Sequence, residues 1–395
     1  MINVTDAQQI IRDNIQSLDV ETINIQESQN RILAKNIFAK TSHPITDVSA
    51  MDGYALCINT ENPTSYYDIV GTSAAGESID LKLEHNQCVK IYTGGQLPNG
   101  ANTILIQENS VFKDGRLFVK NFEINKHIRK EGQDFRIGDL ILKKQKNITY
   151  RDIGLMALDD RNTIPVYKKP KISILSTGDE ITFPGEEKKK GQFSSANGPA
   201  LASFVRERRG LILSNKIEPD SLSKIIKSIT NMKDSDLIIT TGGASVGDKD
   251  FIKKALKELG VKTFFEKVLI KPGKPIIFGL YEDTPIFCLP GNPVSALVCA
   301  TIFVNIALDK LSGLPGLSPL LSKARLIGDI SDNGPRETYL RAKLEIEKNS
   351  QLSIKPFKNQ DSNMILNFAK ANALIMRKPY EKSSKNGDLV DFIDL

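Results

Sequence analysis

Residues 236–260 read DLIITTGGASVGDKDFIKKALKELG, in which an apolar run, a glycine-rich loop and a helix-like stretch follow one another. This order predicts a strand that turns into a helix. The adjacent Gly242 and Gly243 would let a ligand approach the backbone, whose N–H groups could receive an anion. Two aspartates of the same loop, Asp248 and Asp250, would repel that anion. The loop lacks the ending of a Walker A motif and the glycine spacing of a dinucleotide-binding fold, so by itself it predicts only a turn.

The same alternation of strand, loop and helix extends over residues 171–313. KISILSTGDE reads as a strand and turn, NGPALASFVRERRG as a helix, LILSNKIEPD as a strand and turn, and SLSKIIKSITNM as a helix. This alternation is typical of βαβ units and predicts an open, mostly parallel α/β sheet with helices on both faces. In such a sheet ligands bind beyond the carboxyl ends of the strands, where every Gly- or Pro-rich motif of this region falls.

The flanking regions have other patterns. Thr5-Asp6-Ala7-Gln8 reads as a capping box that opens a helix from about Asp6 to Ser17, and a second capped helix follows Thr149. Short apolar runs separated by Gly, Pro and Asn predict β structure before and after the α/β region. We predict four domains: an N-terminal helical and linker domain (1–45 and 143–168), a β-rich module (46–142), the α/β domain (169–315) and a small C-terminal β domain (316–395).

Composition excludes several classes of function. The chain has 395 residues and a net charge of +6 that is spread along it, so nucleic-acid binding is not predicted, although an anionic small molecule would be attracted. The four cysteines share no C-x-x-C spacing, which favours a reducing compartment. The three histidines have no metal-ligand spacing, so any metal is expected on carboxylates.

Membrane attachment is not predicted either. The N-terminus has no basic region followed by an apolar core, so no signal peptide is expected. The apolar stretch at residues 293–308 is shorter than the roughly 18 residues of a membrane span and predicts a buried core helix. We therefore expect a cytoplasmic protein with no membrane contact.

Three motifs of the α/β region carry candidate chemistry. In STGDE, Thr177 and the amide of Gly178 could hold a phosphate while a carboxylate orients a metal or water; the alternative is a turn whose aspartate caps a helix. In KPGKP, Lys271 and Lys274 would suit a doubly charged oxyanion, although a lone motif of this kind is more often an exposed hairpin. In LPGNPVS, two prolines and a glycine fix the backbone, with Asn292 as a helix N-cap.

Together with SAMDGYA at residues 49–55 and TGG at 93–95, these motifs in this order closely resemble the molybdopterin molybdenumtransferase (MoeA) family, which is related to the C-terminal domain of gephyrin. The resemblance covers nearly the whole chain. It implies an enzyme that inserts molybdate into adenylylated molybdopterin and hydrolyses the phosphoanhydride with Mg²⁺, releasing AMP. It also implies a homodimer whose active site lies at the subunit interface, and a molybdopterin adenylyltransferase as a partner.

The resemblance assigns roles to residues at matching motif positions. Catalytic roles fall on Asp52, Thr93, Glu180, Asp220, Asp250 and Lys267. Contacts with molybdopterin or the AMP phosphate fall on Thr177, Gly178, Asn197, Gly242, Gly243, Ser245, Pro290 and Pro293. Contacts with molybdate fall on Lys271, Lys274, Ser295, Arg336 and Ser362. Asp220 and Asp250 are the expected metal ligands. Asp52 and Thr93 are expected to reach the active site from the other subunit. Asp248 is expected to cap the following helix, with Asp250 pointing inward.

Some positions depart from the family pattern. Ser195 and Ala196 stand where the family often has a carboxylate, which leaves Asn197 as the contact there. Asp361 precedes Ser362 where a small residue is frequent. Since a carboxylate directed at an oxyanion site would weaken it, we expect Asp361 to face solvent.

Three alternatives stay open. A scaffold protein could keep the molybdopterin fold without turnover, but it would not need Asp52, Asp220, Asp250 and the KPGKP lysines. A single-domain molybdopterin adenylyltransferase would leave residues 1–142 and the C-terminal domain unexplained. A nicotinamide-nucleotide amidase of the competence-induced type shares the α/β region but not SAMDGYA and LPGNP.

Overall fold

The computed structural model describes residues 1–59, 61, 64–121, 123–242, 251–348 and 350–395. The chain forms two compact units, one of Thr22–Val166 and one of Met1–Glu21 with Tyr167–Leu395. Gly243, Ser245, Asp248 and Asp250 of the opening loop lie outside the described residues. The four domain boundaries predicted from the sequence stay predictions.

The α-helices of the described residues are α1 (Val4–Asp13), α2 (Tyr150–Leu158), α3 (Asn197–Glu207), α4 (Leu222–Thr230), α5 (Phe251–Glu258), α6 (Pro293–Cys299), α7 (Asn305–Leu311) and α8 (Ile365–Lys370). Short 3-10 helices cover Ile25–Glu27 and Gln107–Asn109, and a π-helical turn, Ala300–Val304, joins α6 to α7.

The strands up to residue 167 are β1 (Val20–Asn24), β2 (Ile37–Phe38), β3 (Val48–Ser49), β4 (Gly53–Leu56), β5 (Tyr66–Ser73), β6 (Gln87–Ile91), β7 (Thr103–Ile106), β8 (Ser110–Lys113), β9 (Arg116–Val119), β10 (Ile128–Arg129), β11 (Leu140–Leu142) and β12 (Thr163–Tyr167). The later strands are β13 (Lys171–Thr177), β14 (Ile181–Thr182), β15 (Phe193–Ser194), β16 (Leu211–Glu218), β17 (Leu237–Thr241), β18 (Lys262–Phe265), β19 (Ile270–Lys271), β20 (Ile277–Tyr281), β21 (Thr284–Leu289), β22 (Ser322–Leu326), β23 (Glu337–Ile346), β24 (Leu352–Pro356), β25 (Ala373–Arg377) and β26 (Leu389–Asp394).

The central sheet has six strands in the order β16-β13-β17-β21-β20-β18. Strands β16, β13, β17 and β21 are parallel, whereas β20 runs antiparallel to both of its neighbours, so the sheet is mixed. One face packs on a hydrophobic core shared with α1, α3 and the α6–α7 helix, and the other on a core shared with α4 and α5. The predicted α/β sheet with helices on both faces is confirmed.

The register of this sheet brings the motif loops to one edge. Thr177 at the end of β13 lies opposite Glu218 of β16, and Ser176 lies opposite Thr241 of β17. Thr241 in turn lies opposite Leu289 of β21. The loops that begin STGDE, TTGG and LPGNP therefore leave the sheet side by side.

The apolar helix runs as one helical segment over Pro293–Leu311, three residues beyond the predicted stretch. By length and hydropathy it could cross a membrane, but 89% of its apolar window is buried inside the protein. It is the core helix predicted from the sequence, and Pro293 begins it at the edge of the sheet that carries the motif loops.

The N-terminal helix differs from its prediction. It begins two residues earlier and ends at Asp13, and its N-cap is Asn3 rather than a residue of the predicted box. The side chain of Asn3 accepts the N–H of Asp6 at 2.7 Å, which leaves Asp6 in the first turn where a negative charge is favourable. The second helix begins as predicted after Thr149, whose N–H donates to Asp152 at 2.9 Å.

The C-terminal strands form a small barrel with α8 beside it. Strands β23, β24, β22, β26 and β25 pair in that order, and β25 pairs back with β23. Strand β19, which carries Lys271, adds to β23 in parallel and so joins KPGKP to the barrel.

The unit of Thr22–Val166 is built around a sheet in the order β7-β4-β6-β5-β9-β8. Gly53 lies on β4, where a Cβ atom would come within 2.0 Å of the Leu105 carbonyl oxygen of β7. A side chain at this position would separate two paired strands, which explains the glycine of SAMDGYA.

We therefore expect Gly53→Ala to lower the free energy of unfolding by about 3 kcal/mol, at the upper end of the usual cost of overpacking. Gly71→Ala is the matched control, because a Cβ on that strand residue would meet Val89 at an ordinary 3.8 Å. Urea unfolding of both variants measures the difference. Equal stability of the two would show that β4 and β7 are not this close.

Candidate active site

One cavity lies at the carboxyl edge of the central sheet, and a second, smaller one adjoins it between KPGKP, α6 and the C-terminal barrel. The larger has a volume of about 700 Å³ and the smaller about 370 Å³. They are called the pterin cavity and the oxyanion cavity below, after the ligands that the family resemblance implies. The pterin cavity is lined by Ser176, Thr177, Glu180, Ile181, Phe193, Ser194, Ser195, Ala196, Asn197, Asp220, Thr241, Gly242, Pro275, Pro290, Gly291, Asn292, Pro293 and Asn363. The oxyanion cavity is lined by Lys271, Pro272, Gly273, Lys274, Pro275, Ser295, Arg336, Thr338, Tyr339, Leu340, Arg341, Gln360, Asp361 and Ser362.

Asn197 fixes the floor of the pterin cavity. Its Nδ2 donates to Thr241 Oγ1 and to the Gly291 carbonyl, both at 2.7 Å. The Thr241 hydroxyl donates in turn to the Pro290 carbonyl at 3.2 Å. The side-chain amide of Asn197 thereby connects the end of β17 to the LPGNP loop. Asn197 lines the cavity although the neighbouring Ser195 and Ala196 depart from the family pattern.

Three buried polar atoms of this cavity have no hydrogen-bond partner within the described ranges. They are Ser176 Oγ, Thr177 Oγ1 and Asn197 Oδ1. A buried polar group without a partner is costly, so such groups usually meet a ligand or water. The cavity is thus prepared for a ligand with several hydrogen-bond donors and acceptors.

Gly242 lets two strand ends approach closely. Its φ is +94°, and a Cβ there would come within 2.3 Å of the Thr177 carbonyl oxygen. Only glycine adopts this backbone conformation without strain and leaves the space open. A side chain at position 242 would therefore clash with the end of β13, which explains why a glycine stands at this point of the cavity floor.

Two carboxylates predicted to be functional, Glu180 and Asp220, lie in the wall of the pterin cavity. The Asp220 N–H donates to the carboxylate of Asp179 at 3.2 Å, which ties the turn after β16 to STGDE. Ser221, not Asp220, occupies the N-cap position of α4. Asp220 is therefore not the N-cap residue of this helix, and it lines the pterin cavity.

All five residues predicted to contact molybdate line the oxyanion cavity: Lys271, Lys274, Ser295, Arg336 and Ser362. The two lysines are exposed and Ser295 is buried near the start of α6. The backbone at Arg336 is held by Asn333, whose Nδ2 donates to the Arg336 carbonyl at 2.9 Å. Three cationic side chains and two hydroxyls around one cavity form an arrangement suited to a tetrahedral dianion.

Asn292 connects the two cavities. It lines the pterin cavity, and its Nδ2 donates to the Ser362 hydroxyl oxygen of the oxyanion cavity at 2.8 Å. Asn292 stands at the N-cap position of α6 as predicted, but its side chain donates to Ser362 and accepts no N–H of the helix. Pro275 lines both cavities, so they adjoin.

Other predicted residues lie elsewhere. Two described site candidates of the unit that contains the cavities, Gly178 and Lys267, line neither cavity. Gly178 sits between lining residues with φ +153°, and the Lys267 carbonyl accepts the N–H of Ile2 at 3.3 Å. Gly243, Ser245 and Asp250 lie outside the described residues.

Asp52 and Thr93 belong to the other compact unit and contact each other there. Asp52 Oδ1 accepts the backbone N–H of Thr93 at 2.7 Å and its hydroxyl at 2.8 Å. These two bonds, the backbone one foremost, hold the pKa of Asp52 below its ordinary value. Asp52 is thus a fixed, exposed carboxylate on a loop between β3 and β4.

We expect Thr93→Val to raise the pKa of Asp52 toward that of an ordinary aspartate, because the hydroxyl bond is lost while the backbone bond remains. A carboxyl carbon titration by NMR measures it. Thr93→Ser, which keeps the hydroxyl, should leave the pKa low. An unchanged pKa in the valine variant would contradict the bond to Asp52.

Several lining residues were not predicted. Ser176 is the first residue of STGDE and could have been predicted from that motif, whereas Asn292 was predicted only as a helix cap. Tyr339 and Arg341 lie in the strand-like YLRAKLEIEK, where an arginine among apolar residues was the available signal. Asp361 is exposed, as predicted, but it also lines the oxyanion cavity, from which the sequence analysis expected it to be directed away. Its Oδ1 accepts the Asn363 N–H at 2.8 Å.

Comparisons with known proteins agree with this architecture. Family models match residues 2–158 (MoeA N-terminal region, domain I and II), 173–310 (probable molybdopterin binding domain) and 323–395 (MoeA C-terminal region, domain IV). The molybdopterin molybdenumtransferase of Nostoc sp. is 30% identical over 396 residues, covering 95% of this chain and 89% of the relative. That of Haemophilus influenzae is 30% identical over 374 residues, covering 94% and 92%.

A crystal structure of the molybdopterin biosynthesis MoeA protein from Pyrococcus horikosii superposes with a TM-score of 0.86 at 25% identity, covering 100% of this chain and 99% of that one. The fold and its cavities define a multidomain α/β protein built around a molybdopterin-binding domain. The chain belongs to the MoeA family, the molybdopterin molybdenumtransferases. The named relatives are transferases, which places this chain among the enzymes of molybdenum cofactor biosynthesis.

Proposed function

We propose that this protein inserts molybdate into adenylylated molybdopterin and releases AMP. The observation that carries the proposal is the adjacency of two chemically different cavities, one with unpaired polar groups and carboxylates and one with four cationic side chains. A pterin nucleotide has many donors and acceptors, and molybdate is a dianion. Each substrate therefore matches one cavity.

The pterin cavity would orient the nucleotide substrate through its unpaired groups. Asn197 Oδ1 accepts an N–H of the pterin, while the hydroxyls of Ser176 and Thr177 serve its oxygens or phosphates. Because these groups are fixed by folding, they bind without further ordering. The bound substrate then lies with its dithiolene toward Pro275 and the second cavity.

The oxyanion cavity would hold molybdate in line with that dithiolene. Lys271, Lys274 and Arg336 neutralise its charge, and Ser362 donates its hydroxyl hydrogen to an oxygen of molybdate. Asn292 favours this direction, since its N–H already occupies a lone pair of Ser362 Oγ. Two Mo–S bonds form, and one molybdate oxygen leaves as water with the two thiol protons.

The second half of the reaction breaks the phosphoanhydride. A water molecule adds to phosphorus, the bridging P–O bond breaks and AMP leaves with the electron pair. Asp220 and Glu180 lie in the cavity wall where a carboxylate can accept the proton of that water. Asp250, assigned by motif position, joins them in the proposal.

Mg²⁺ fits the carboxylates of this cavity. Mg²⁺ on a nucleotide commonly takes one or two protein carboxylates, with phosphates and water as its other ligands. The described residues contain no cluster of three potential metal-ligating side chains, but Asp220 in the wall meets the smaller requirement. When bound, the ion neutralises phosphate charge; Asp220 and Asp250 would hold it.

The assembly and location are part of the proposal. Asp52 and Thr93 form a fixed pair on an exposed loop, which suits residues offered to another subunit. A homodimer would supply this pair in trans, so a monomer would be inactive. We place the enzyme in the cytoplasm, with molybdopterin adenylyltransferase as the partner that delivers its substrate.

The test mixes the dimeric protein with adenylylated molybdopterin, molybdate and Mg²⁺. Molybdate-dependent release of AMP is expected. A scaffold protein would bind the pterin and release none, and an adenylyltransferase would instead consume ATP. Either result would refute the proposed function.

A further inference from the structure

Two arginines of the C-terminal barrel, Arg341 on β23 and Arg377 on β25, are each only 1% exposed. Burying a guanidinium is costly unless a carboxylate or several carbonyls satisfy its charge and its donors. The two side chains meet this requirement very differently.

Arg377 has a full set of protein partners. Its Nε pairs with Glu381 at 2.8 Å, its Nη1 donates to the Ser331 carbonyl at 3.4 Å, and its Nη2 donates to the Lys382 carbonyl. The group needs nothing from a ligand, so it has a structural role.

Arg341 lacks such a set. Its Nη2 donates to the Asp361 carbonyl at 3.0 Å, but its buried Nε has no partner within the described part of the chain. No carboxylate of the described residues forms an ion pair with it, and the Asp361 carboxylate accepts the Asn363 N–H instead. Burial lowers the pKa of Arg341, and the charge of Asp361 opposes that change. Folding therefore leaves a desolvated cation with unused donors.

Arg341 lines the oxyanion cavity. Its neighbour Tyr339, on the same face of β23, donates its hydroxyl to Glu337 at 2.5 Å and is committed to that bond. The missing counter-charge of Arg341 can therefore come from an anion in the cavity. A desolvated guanidinium attracts such an anion more strongly than an exposed lysine does, because less water screens it.

We propose that Arg341 is an additional anion-binding residue of this cavity, whose guanidinium is completed by a tetrahedral dianion. Under the proposed function, on which this inference rests, that dianion is molybdate. The exposed Lys271 and Lys274 attract it from solvent, and Arg341 supplies the fixed, buried charge beneath it.

Calorimetric titration with molybdate alone, and separately with sulfate, tests the assignment. Arg341→Gln keeps a donor for the Asp361 carbonyl but removes the charge, and is expected to weaken molybdate binding by roughly 10- to 100-fold, as for loss of a charged hydrogen bond. Arg341→Lys should recover part of the affinity. Arg325→Gln is the matched control, an exposed barrel arginine on β22 whose replacement should leave affinity unchanged.

If Arg341→Gln binds molybdate with wild-type affinity, the role of Arg341 is refuted while the proposed function stands. Absence of molybdate binding by the unaltered protein would overturn it together with the proposed function. A loss for sulfate but not for molybdate would overturn the assignment to molybdate. A purely structural role predicts a lower melting temperature with unchanged affinity, which also counts against it.

A measurement on the unaltered protein keeps the inference testable if Arg341→Gln does not fold. Crystals soaked in molybdate should give an anomalous molybdenum peak roughly 4 Å from a guanidinium nitrogen of Arg341, as one hydrogen bond to an oxide requires. A peak farther from that nitrogen would overturn the inference.

Discussion

Lys271→Ala is expected to raise the molybdate concentration for half-maximal AMP release by roughly 10- to 100-fold, since a charge-assisted hydrogen bond contributes about 1.5–3 kcal/mol. The rate at saturating molybdate should change little. Lys271 lines the oxyanion cavity and none of the pterin cavity, so its loss affects the capture of molybdate rather than cleavage of the phosphoanhydride.

The kinetic measurement is AMP release as a function of molybdate concentration at fixed pterin substrate. Lys343→Ala is the control, because it removes an exposed lysine from β23. An equal fall in rate at all molybdate concentrations would contradict a molybdate-binding role for Lys271.

Asp220→Asn is expected to change the maximal rate of AMP release and not its dependence on molybdate. It should lower the maximal rate of AMP release by roughly 10²- to 10⁴-fold, the usual contribution of a positioned acid or base, and leave the molybdate dependence unchanged. Asparagine keeps the shape of aspartate but cannot accept the proton. If Asp220 also holds Mg²⁺, the variant will require more of the metal.

The control for this variant is Asp234→Asn, an exposed aspartate just before β17 at the opposite end of that strand. Single-turnover AMP release across a Mg²⁺ series measures both effects. If Asp220→Asn raises the molybdate requirement as much as Lys271→Ala does, molybdate binding and phosphoanhydride cleavage are not separated between the two cavities.

The fold was largely predictable because local patterns determine it. Alternating strands and helices in residues 171–313 predicted the α/β sheet, and strand-like runs predicted the C-terminal β domain. The start of α1 was not predicted correctly, because Asn3 and Thr5 are both good caps and only the folded backbone selects Asn3.

The site was predictable where it lies in compact motifs. Lys271 and Lys274 come from five consecutive residues, and all the predicted molybdate contacts line one cavity. Asn292 and Ser362 are 70 residues apart, and their bond arises only when the barrel and α6 meet. The role of Arg341 was not predictable from the sequence for the same reason. Its lack of a counter-ion depends on the residues that surround it in the folded protein and not on the sequence of β23.

In the mechanism that we propose, the pterin nucleotide and molybdate occupy separate, adjoining cavities. A crystal structure with molybdate and AMP bound, with data collected at the molybdenum absorption edge, tests it most directly. We expect a molybdenum peak between Lys271, Arg336 and Ser362, and the AMP phosphate beside Thr177 and Asp220. A molybdenum peak in the pterin cavity, or AMP in the oxyanion cavity, would contradict it.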